Sequence, residues 1–427
     1  MPGEFPQALA ERAQRALQSG RFDEARELGE ELERVAPQSP LGPFAIGVAA
    51  FKSLDFNLAV TQLSRAVARN DAAQNSRFWL ADALHHAGRF RDALNAYDEA
   101  ARLGGGDAIA HNRRLVEEDM ENDRRGRNSV HRDRSNPEPE HLADILTSAH
   151  SLAARAILAP RAQIAEPSGD VPSLSIVTCS ITPWKLARLR ASLATSLAGR
   201  DWELIAITDA KSLCDGYNRG FARARGELIV FCHDDIEILC DRFFARLIDA
   251  VRDADVIGVC GTTKLTGPAL GWSGAPHFHC AISHLDATTQ QCCLTLCSTA
   301  GPRIDEAQAL DGVFFAAWRH AVEQVGFDAE TFDGFDLYDL DFTYRAFKVG
   351  LRIRIQTDLH LLHLSRGNFG QRYAQYAERF RAKHPEFRDA PPPAFPVVRE
   401  TRLADGAEAQ RAHDWIDTWL RSAPELR

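Results

Sequence analysis

Three times in its first hundred residues the chain carries the same short pattern: Gly20-Arg21-Phe22-Asp23-Glu24-Ala25, Leu54-Asp55-Phe56-Asn57-Leu58-Ala59 and Gly88-Arg89-Phe90-Arg91-Asp92-Ala93. The aromatic recurs at 22, 56 and 90, a period of 34, and small residues keep the register at Ala13, Gly47 and Ala81 and again at Ala66 and Ala100. A fixed period of this length constrains the fold more than composition does. Each unit is one supersecondary element that cannot bury its apolar face alone, so successive units must stack and share a core. The small residues let two helices approach, and the aromatic wedges against them. A nonrepetitive helical bundle would have no reason to keep both kinds of residue in step three times.

The pattern resembles tetratricopeptide repeats. The resemblance implies an all-α domain over residues 1–120 that binds a protein partner or drives self-association. Residues 121–172 then read as a linker containing a helix. Glu121 to His141 is charged and polar and holds Pro137 and Pro139, too little apolar surface to fold against. Its basic run from Arg124 to Arg134 is diluted by acidic neighbours, which favours a solvated linker over a phosphate grip. Leu142 to Leu158 is alanine-rich and helical, and Pro160, Pro167 and Pro172 close the segment.

With 427 residues, two or three domains are expected. A formal net charge of −9 gives no global field that would favour nucleic acid or anionic lipid. No apolar run reaches the length of a transmembrane helix, and the N-terminus lacks the basic and apolar regions of a signal peptide. The expectation is a cytoplasmic protein without a transmembrane segment, with peripheral recruitment to the inner face of a membrane left open. All nine cysteines lie between Cys179 and Cys297, an odd clustered set that fits a reducing compartment. Cys179, Cys232 and Cys260 sit in apolar surroundings and read as small core residues. His277, His279, Cys280, Cys292, Cys293 and Cys297 offer zinc ligands but match no paired Cys-x-x-Cys spacing, so a structural zinc is the lesser reading.

From Ser173 the hydrophobic period changes. Leu174 to Thr178, Trp202 to Thr208, Leu228 to Phe231 and Val256 to Cys260 read as strands, separated by helices at Pro183 to Leu197, Gly216 to Arg225 and Phe243 to Val251. Such alternation implies a parallel, doubly wound sheet. Gly261 to Leu310 reads as an irregular insertion facing substrate. Val313 to Ala317 is a further strand, Tyr338 to Val349 a helix, Leu351 to Gln356 a strand, His360 to Gly367 a loop and Gln371 to Lys383 a last helix. The tail over 391–427, beginning with three prolines, carries a weak amphipathic pattern from Ala407 to Leu420.

Within this half, Gly226-Glu-Leu-Ile-Val-Phe-Cys-His233-Asp234-Asp235 combines a buried strand with an imidazole and two adjacent carboxylates at its carboxyl end, where open α/β sheets bind ligands. Adjacent carboxylates repel, and a divalent cation offsets that best. A second acidic cluster, Asp336 to Asp341, follows about a hundred residues on. The two point to a phosphorylated donor handled through a metal.

Residues 173–390 resemble the GT-A nucleotide-sugar glycosyltransferases of the family-2 type. The resemblance is carried, in order, by the first two strands with Asp209, by Tyr217-Asn218-Arg-Gly220 to His233-Asp234-Asp235, by Leu310-Asp311-Gly312 with Phe332-Asp-Gly-Phe335 and Tyr338-Asp339-Leu-Asp341, and by His363 with Ser365. It implies an inverting, metal-dependent glycosyltransferase that moves a sugar from a nucleotide-sugar donor to a glycan, lipid-linked or protein acceptor. Carried over residue by residue, Asp235 is a ligand of Mn²⁺ or Mg²⁺, assisted by Asp234 or His233. Asp209, Asn218 and Asp234 line the nucleotide, and Asp339 is the general base. Asp311 faces the acceptor, and Trp272, outside these blocks, is either a stacking face for the acceptor sugar or a core side chain. His363 is either a further metal ligand or a loop histidine capping a carbonyl. Asp209 is open to a second reading as a turn former, and Asp339 and Asp341 as helix-start charges. The family's three-acid run appears here as His-Asp-Asp, and its Glu-Asp as Tyr338-Asp339. The missing acid keeps a second class of function open, a non-catalytic scaffold that lends its surface to the repeats. Nucleotidyl transfer lacks the expected glycine-rich phosphate loop.

Overall fold

The computed structural model describes residues 6–104 apart from 19–20, 54 and 71, scattered positions between 106 and 149, residues 164–387 apart from 275, 286–291, 298–301 and 366–370, and residues 398–402. The linker from Glu121 to His141, most of the helix expected from Leu142 and the tail helix from Ala407 lie outside the described residues. The chain divides into two compact units, one of Met1–His131 with Asn368–Ala394, the other of Arg132–Gly367 with Phe395–Arg427.

The first unit opens with six helices: α1 (Pro6–Gln18), α2 (Phe22–Val35), α3 (Leu41–Lys52), α4 (Phe56–Arg69), α5 (Gln74–His86) and α6 (Phe90–Gly104). Each repeated aromatic is the first residue of an even-numbered helix. Phe22 and Phe56 are buried, and the alanines three positions on, Ala25, Ala59 and Ala93, have no exposed surface. The small residues mark close approaches: a Cβ built on Gly47 of α3 would lie 2.6 Å from Leu63 Cγ of α4. The Asp55 side chain caps α4 by accepting from the Leu58 amide at 3.0 Å. Helix Gln371–Lys383 belongs to the same unit.

The second unit is built on two sheets. The first has the order β2 (Trp202–Ile207), β1 (Leu174–Cys179), β3 (Leu228–Cys232), β11 (Phe314–Trp318), β5 (Val256–Gly258), β12 (Ile353–Gln356) and β9 (Arg303–Ile304). Helices α7 (Pro183–Ser196), α8 (Leu213–Phe221) and α9 (Phe243–Val251) connect its early strands, and α10 (Arg319–Val325) and α11 (Tyr338–Lys348) follow β11. β1 runs parallel to β2 and β3, but β11 is antiparallel to both β3 and β5. The sheet is therefore mixed rather than wholly parallel. The cause lies in the segment before β11, which carries the chain from β5 through the second sheet and returns it in the opposite sense.

That second sheet corrects the expectation of an irregular insertion. Its order is β10 (Ala309–Leu310), β6 (Cys260–Thr262), β7 (Phe278–Leu285), β13 (Leu361–His363) and β4 (Ile236–Ile238), with β8 (Cys292–Cys297) pairing β7 and β14 (Val398–Arg402) pairing β8. Polar and sulfur-bearing residues inside these strands, such as His279, Cys280 and Ser283, are buried and hide the alternation on which strand recognition depends. β13 likewise lies where a loop was expected. It pairs antiparallel with β4, setting His363 opposite Ile236, and parallel with β7. This pairing places the late histidine beside the acids that follow β3. Beneath them, Tyr217, Phe231, Phe315, Phe327 and Phe342 form a packed aromatic floor, with Phe327 and Phe342 stacked at 4.5 Å.

Candidate active site

Strand β3 stops at Cys232, and the next amide, that of His233, donates to the Val313 carbonyl at 3.1 Å. The antiparallel β11 thus pins the turn that presents His233, Asp234 and Asp235. A second bond, from the Leu364 amide to the Asp235 carbonyl at 3.0 Å, ties the same turn to the end of β13. Three side chains converge as a result. His363 Nε2 lies 3.3 Å from Asp235 Oδ1 and 3.2 Å from His233 Nδ1, and Ser365 Oγ approaches His363 Nε2 at 3.3 Å. One ligand atom each from His233, Asp235 and His363 fall within 4.8 Å of one another. Two imidazoles and a carboxylate form a donor set that fits a divalent transition metal such as Mn²⁺ better than Mg²⁺, which prefers oxygen alone. Asp235 is buried. Burial opposes its ionisation, but the Lys185 ammonium, then His363 and His233, hold its carboxyl well below the usual range.

The other ring nitrogen of His233, Nε2, sits 3.0 Å from the Tyr338 hydroxyl. Such an outer partner fixes the tautomer of a ligating imidazole and frees the opposite nitrogen. Tyr338 opens α11, and Leu337 before it adopts φ of +61°, a strained conformation for a branched buried residue. That kink brings Tyr338 and Asp339 against Gly312. The Gly312 amide donates to Asp339 Oδ2 at 2.6 Å, and a Cβ at this position would lie 2.0 Å from the Tyr338 hydroxyl. Only glycine fits there.

Asp339 is partly buried, and its pKa is raised to about 7, first by burial and then by the neighbouring Asp311 carboxylate, against the opposing Leu340 and Gly312 amides. Asp311 is itself raised by burial, with the Val313 amide donating to its Oδ1 at 2.9 Å and His363 pulling the other way. A carboxyl poised near neutrality has the proton affinity a general base needs. Asp341, two residues on, is wholly buried and bonded to Arg345 Nε at 2.8 Å, while Arg345 grips the Val325 and Gly326 carbonyls. It holds structure together, in keeping with the different helix face expected for it.

The remaining candidates make other contacts. Asp209 is exposed and ion-paired with Arg219 at 2.6 Å, and Arg219 also reaches Asp215 at 3.1 Å. Asn218 uses both ends of its amide on Phe327, donating to its carbonyl at 2.8 Å and accepting from its amide at 3.1 Å. That is a positioning bond for the aromatic floor. Trp272 sits in a short 3₁₀ turn with its indole over Gly267. Asp234, partly exposed, helps push the Cys179 thiol up to about 12, after burial.

Lys185 escaped the sequence reading. Its Nζ lies 2.9 Å from Asp235 Oδ2. One signal was available: Lys185 stands in the first turn of α7, where a cation opposes the helix dipole.

A family model described as "Glycosyltransferase like family" matches residues 188–384, and this part of the chain is a glycosyltransferase family 2-like domain. The helical repeats are similar to solved tetratricopeptide structures. The first TPR domain of human RPAP3 shares 19% identity over 29% of this chain and 96% of that one, with a TM-score of 0.27. MamA of MSR-1 shares 23% over 28% and 68%, with a TM-score of 0.25. The Yersinia enterocolitica type III secretion translocator chaperone SycD shares 17% over 27% and 80%, with a TM-score of 0.24. No curated protein matches the chain.

Proposed function

We propose that the second unit is a metal-dependent, inverting glycosyltransferase that takes a sugar from a nucleotide-sugar donor to a glycan, lipid-linked or protein acceptor, and that the repeats recruit a protein partner or a second copy. The observation that carries this reading is the convergence of His233, Asp235 and His363, from segments 130 residues apart in sequence, within a glycosyltransferase-like domain. His233, Asp235 and His363 would hold the Mn²⁺ or Mg²⁺. When bound, that ion supplies charge neutralisation for a departing nucleoside diphosphate. Tyr338 orients His233. Asp339, held by the Gly312 amide, accepts the proton of the attacking acceptor hydroxyl, and Asp311 raises its proton affinity. Asp311 and Trp272 are proposed on the acceptor side, and Asp209, Asn218 and Asp234 towards the nucleotide. For Asn218 this role is indirect, through Phe327.

A donor-hydrolysis screen across nucleotide sugars, with Mn²⁺, with Mg²⁺ and with chelator, tests the reading. Turnover with at least one donor, greatest with Mn²⁺ and lost in Asp235→Asn, is expected. One observation favours the alternative of a non-catalytic scaffold: Asp235 already has a counter-ion in Lys185. Absence of turnover with every donor, together with unaltered partner capture by Asp235→Asn, would favour it. Among the described residues no helix is long and apolar enough to cross a membrane. A cytoplasmic location and a part in polysaccharide biosynthesis belong to the same proposal.

A further inference from the structure

The two oxygens of Asp235 face different partners. Oδ1 looks towards His363 Nε2 at 3.3 Å, and Oδ2 towards Lys185 Nζ at 2.9 Å. The Asp235 side chain is 4% exposed and that of Lys185 12%, so water does little to screen the pair. The position of the lysine is not one its helix favours. In the first turn of α7 it opposes the dipole, and the compensation comes from Asp235, 50 residues away. Nor is it fixed by a rigid fork as an arginine would be. A four-carbon stem lets the ammonium leave without moving the backbone, and in its place on Asp235 it meets the Trp184 ring at 5.9 Å, near the outer limit of a cation–π contact.

We propose that Lys185 is a built-in competitor for the divalent cation, neutralising Asp235 until an ion displaces its ammonium. The inference rests on reading His233, Asp235 and His363 as the metal site. A buried carboxylate left without counter-charge is strongly unfavourable and takes up a proton instead, so a cation is needed to keep Asp235 ionised. An ammonium at hydrogen-bond distance and a divalent ion on the same carboxylate would repel each other at close range with little screening, so each weakens the other's hold on Asp235. Lys185 thereby sets the concentration of metal at which the site fills, and it keeps the empty site folded.

The test is titration of the full chain with Mn²⁺ alone, followed by calorimetry and by the spin resonance signal of free Mn²⁺. The wild type is compared with Lys185→Met, Lys185→Arg and His363→Ala. Removing the charge should tighten Mn²⁺ binding by about tenfold or more, whereas Lys185→Arg should not tighten it and His363→Ala should weaken it. In chelator, Lys185→Met should melt below the wild type, and Mn²⁺ should raise its melting temperature by the larger amount. If the Met variant does not fold, Lys185→Gln, which keeps a hydrogen bond to Asp235 without the charge, takes its place. Equal or weaker Mn²⁺ binding in the neutral variants, with binding lost in His363→Ala, would overturn the competitor role and leave the metal site standing. No Mn²⁺ binding by the wild type or by any variant would remove the metal site and the proposal together.

Discussion

Asp339, partly buried, and Asp235, buried, are acids of one site, yet their environments push them in opposite directions. Asp235 faces an ammonium and two imidazoles and stays ionised, while Asp339 faces Asp311 and is raised to about 7. If Asp339 is the base, kcat should climb with pH through about 7 as it loses its proton. Asp339→Asn should keep donor affinity but lose roughly two to four orders of magnitude in turnover, together with that inflection. Turnover and nucleotide affinity on the same preparations decide the matter, and full transfer by the Asn variant would shift the base role to Asp311 or Asp336. The same shift has a stability sign. The unfolded carboxyl releases its proton near 3.9 and the folded one near 7, so between these values the folded state binds more protons and stability falls as pH rises. Asp339→Asn should therefore gain stability relative to the wild type at pH about 8 and little at pH about 4, read by denaturant unfolding. Asp235 has the reverse sign: its contribution is present above the usual carboxylate range and is lost on acidification through its depressed value.

At the scale of elements, the first turn of α11 separates chemistry from architecture. Asp339 points to Gly312, whereas Asp341 is closed within its ion pair to Arg345, which in turn holds the end of α10 through the Val325 and Gly326 carbonyls. Asp341→Asn leaves the guanidinium without its charge partner and should cost roughly 3 kcal/mol of stability, while turnover per folded molecule stays unchanged. Thermal melts paired with active-site titration separate the two effects. In the repeats, Gly47 occupies a position where the neighbouring units carry Ala13 and Ala81, so alanine looks harmless there. A Cβ would nevertheless meet Leu63 Cγ at 2.6 Å and the Leu63 amide nitrogen at 3.1 Å. Overpacking of this kind costs about 1–3 kcal/mol, against about 1 kcal/mol gained in helix propensity. Gly47→Ala is expected to lower the melting temperature of the repeats, and an increase would mean that α3 and α4 separate readily.

At the scale of the whole molecule, the repeats complete their own cores. Leu9, Ala13, Phe22, Leu28 and Leu32 form one cluster, and Val48, Ala59, Leu63, Leu84 and Tyr97 another that also takes in Ile109 and Val116. Three stacked repeats are enough for cooperative folding. A fragment ending at His131 should be helical and melt in one transition, at a lower temperature than in the full chain, because the compact unit also includes Asn368–Ala394. Circular dichroism of the fragment with and without that segment joined by a flexible linker measures the difference. An unfolded fragment would show that the repeats depend on more of the chain than their period implies.

The sequence by itself determined what is local or periodic. The 34-residue register of Phe22, Phe56 and Phe90 specified stacked helix pairs because the same faces must meet in every unit. The alternation of strands and helices from Leu174 to Val251 specified three parallel neighbours, and the run ending at His233-Asp234-Asp235 marked where a site belongs. Tertiary structure decided what depends on strand order. The antiparallel return of β11 and the pairing of β13 with β4 rest on the second sheet, whose buried histidines, cysteines and serines erase the alternation that would betray it. The meeting of Lys185, Asp235 and His363, the hydrogen bond from Tyr338 to His233 and the raised pKa of Asp339 all follow from that topology. The contacts among Lys185, His233, Asp235, Tyr338 and His363 join residues 50 to 130 apart in sequence, and charges interact through distance in space, which no spacing along the chain encodes.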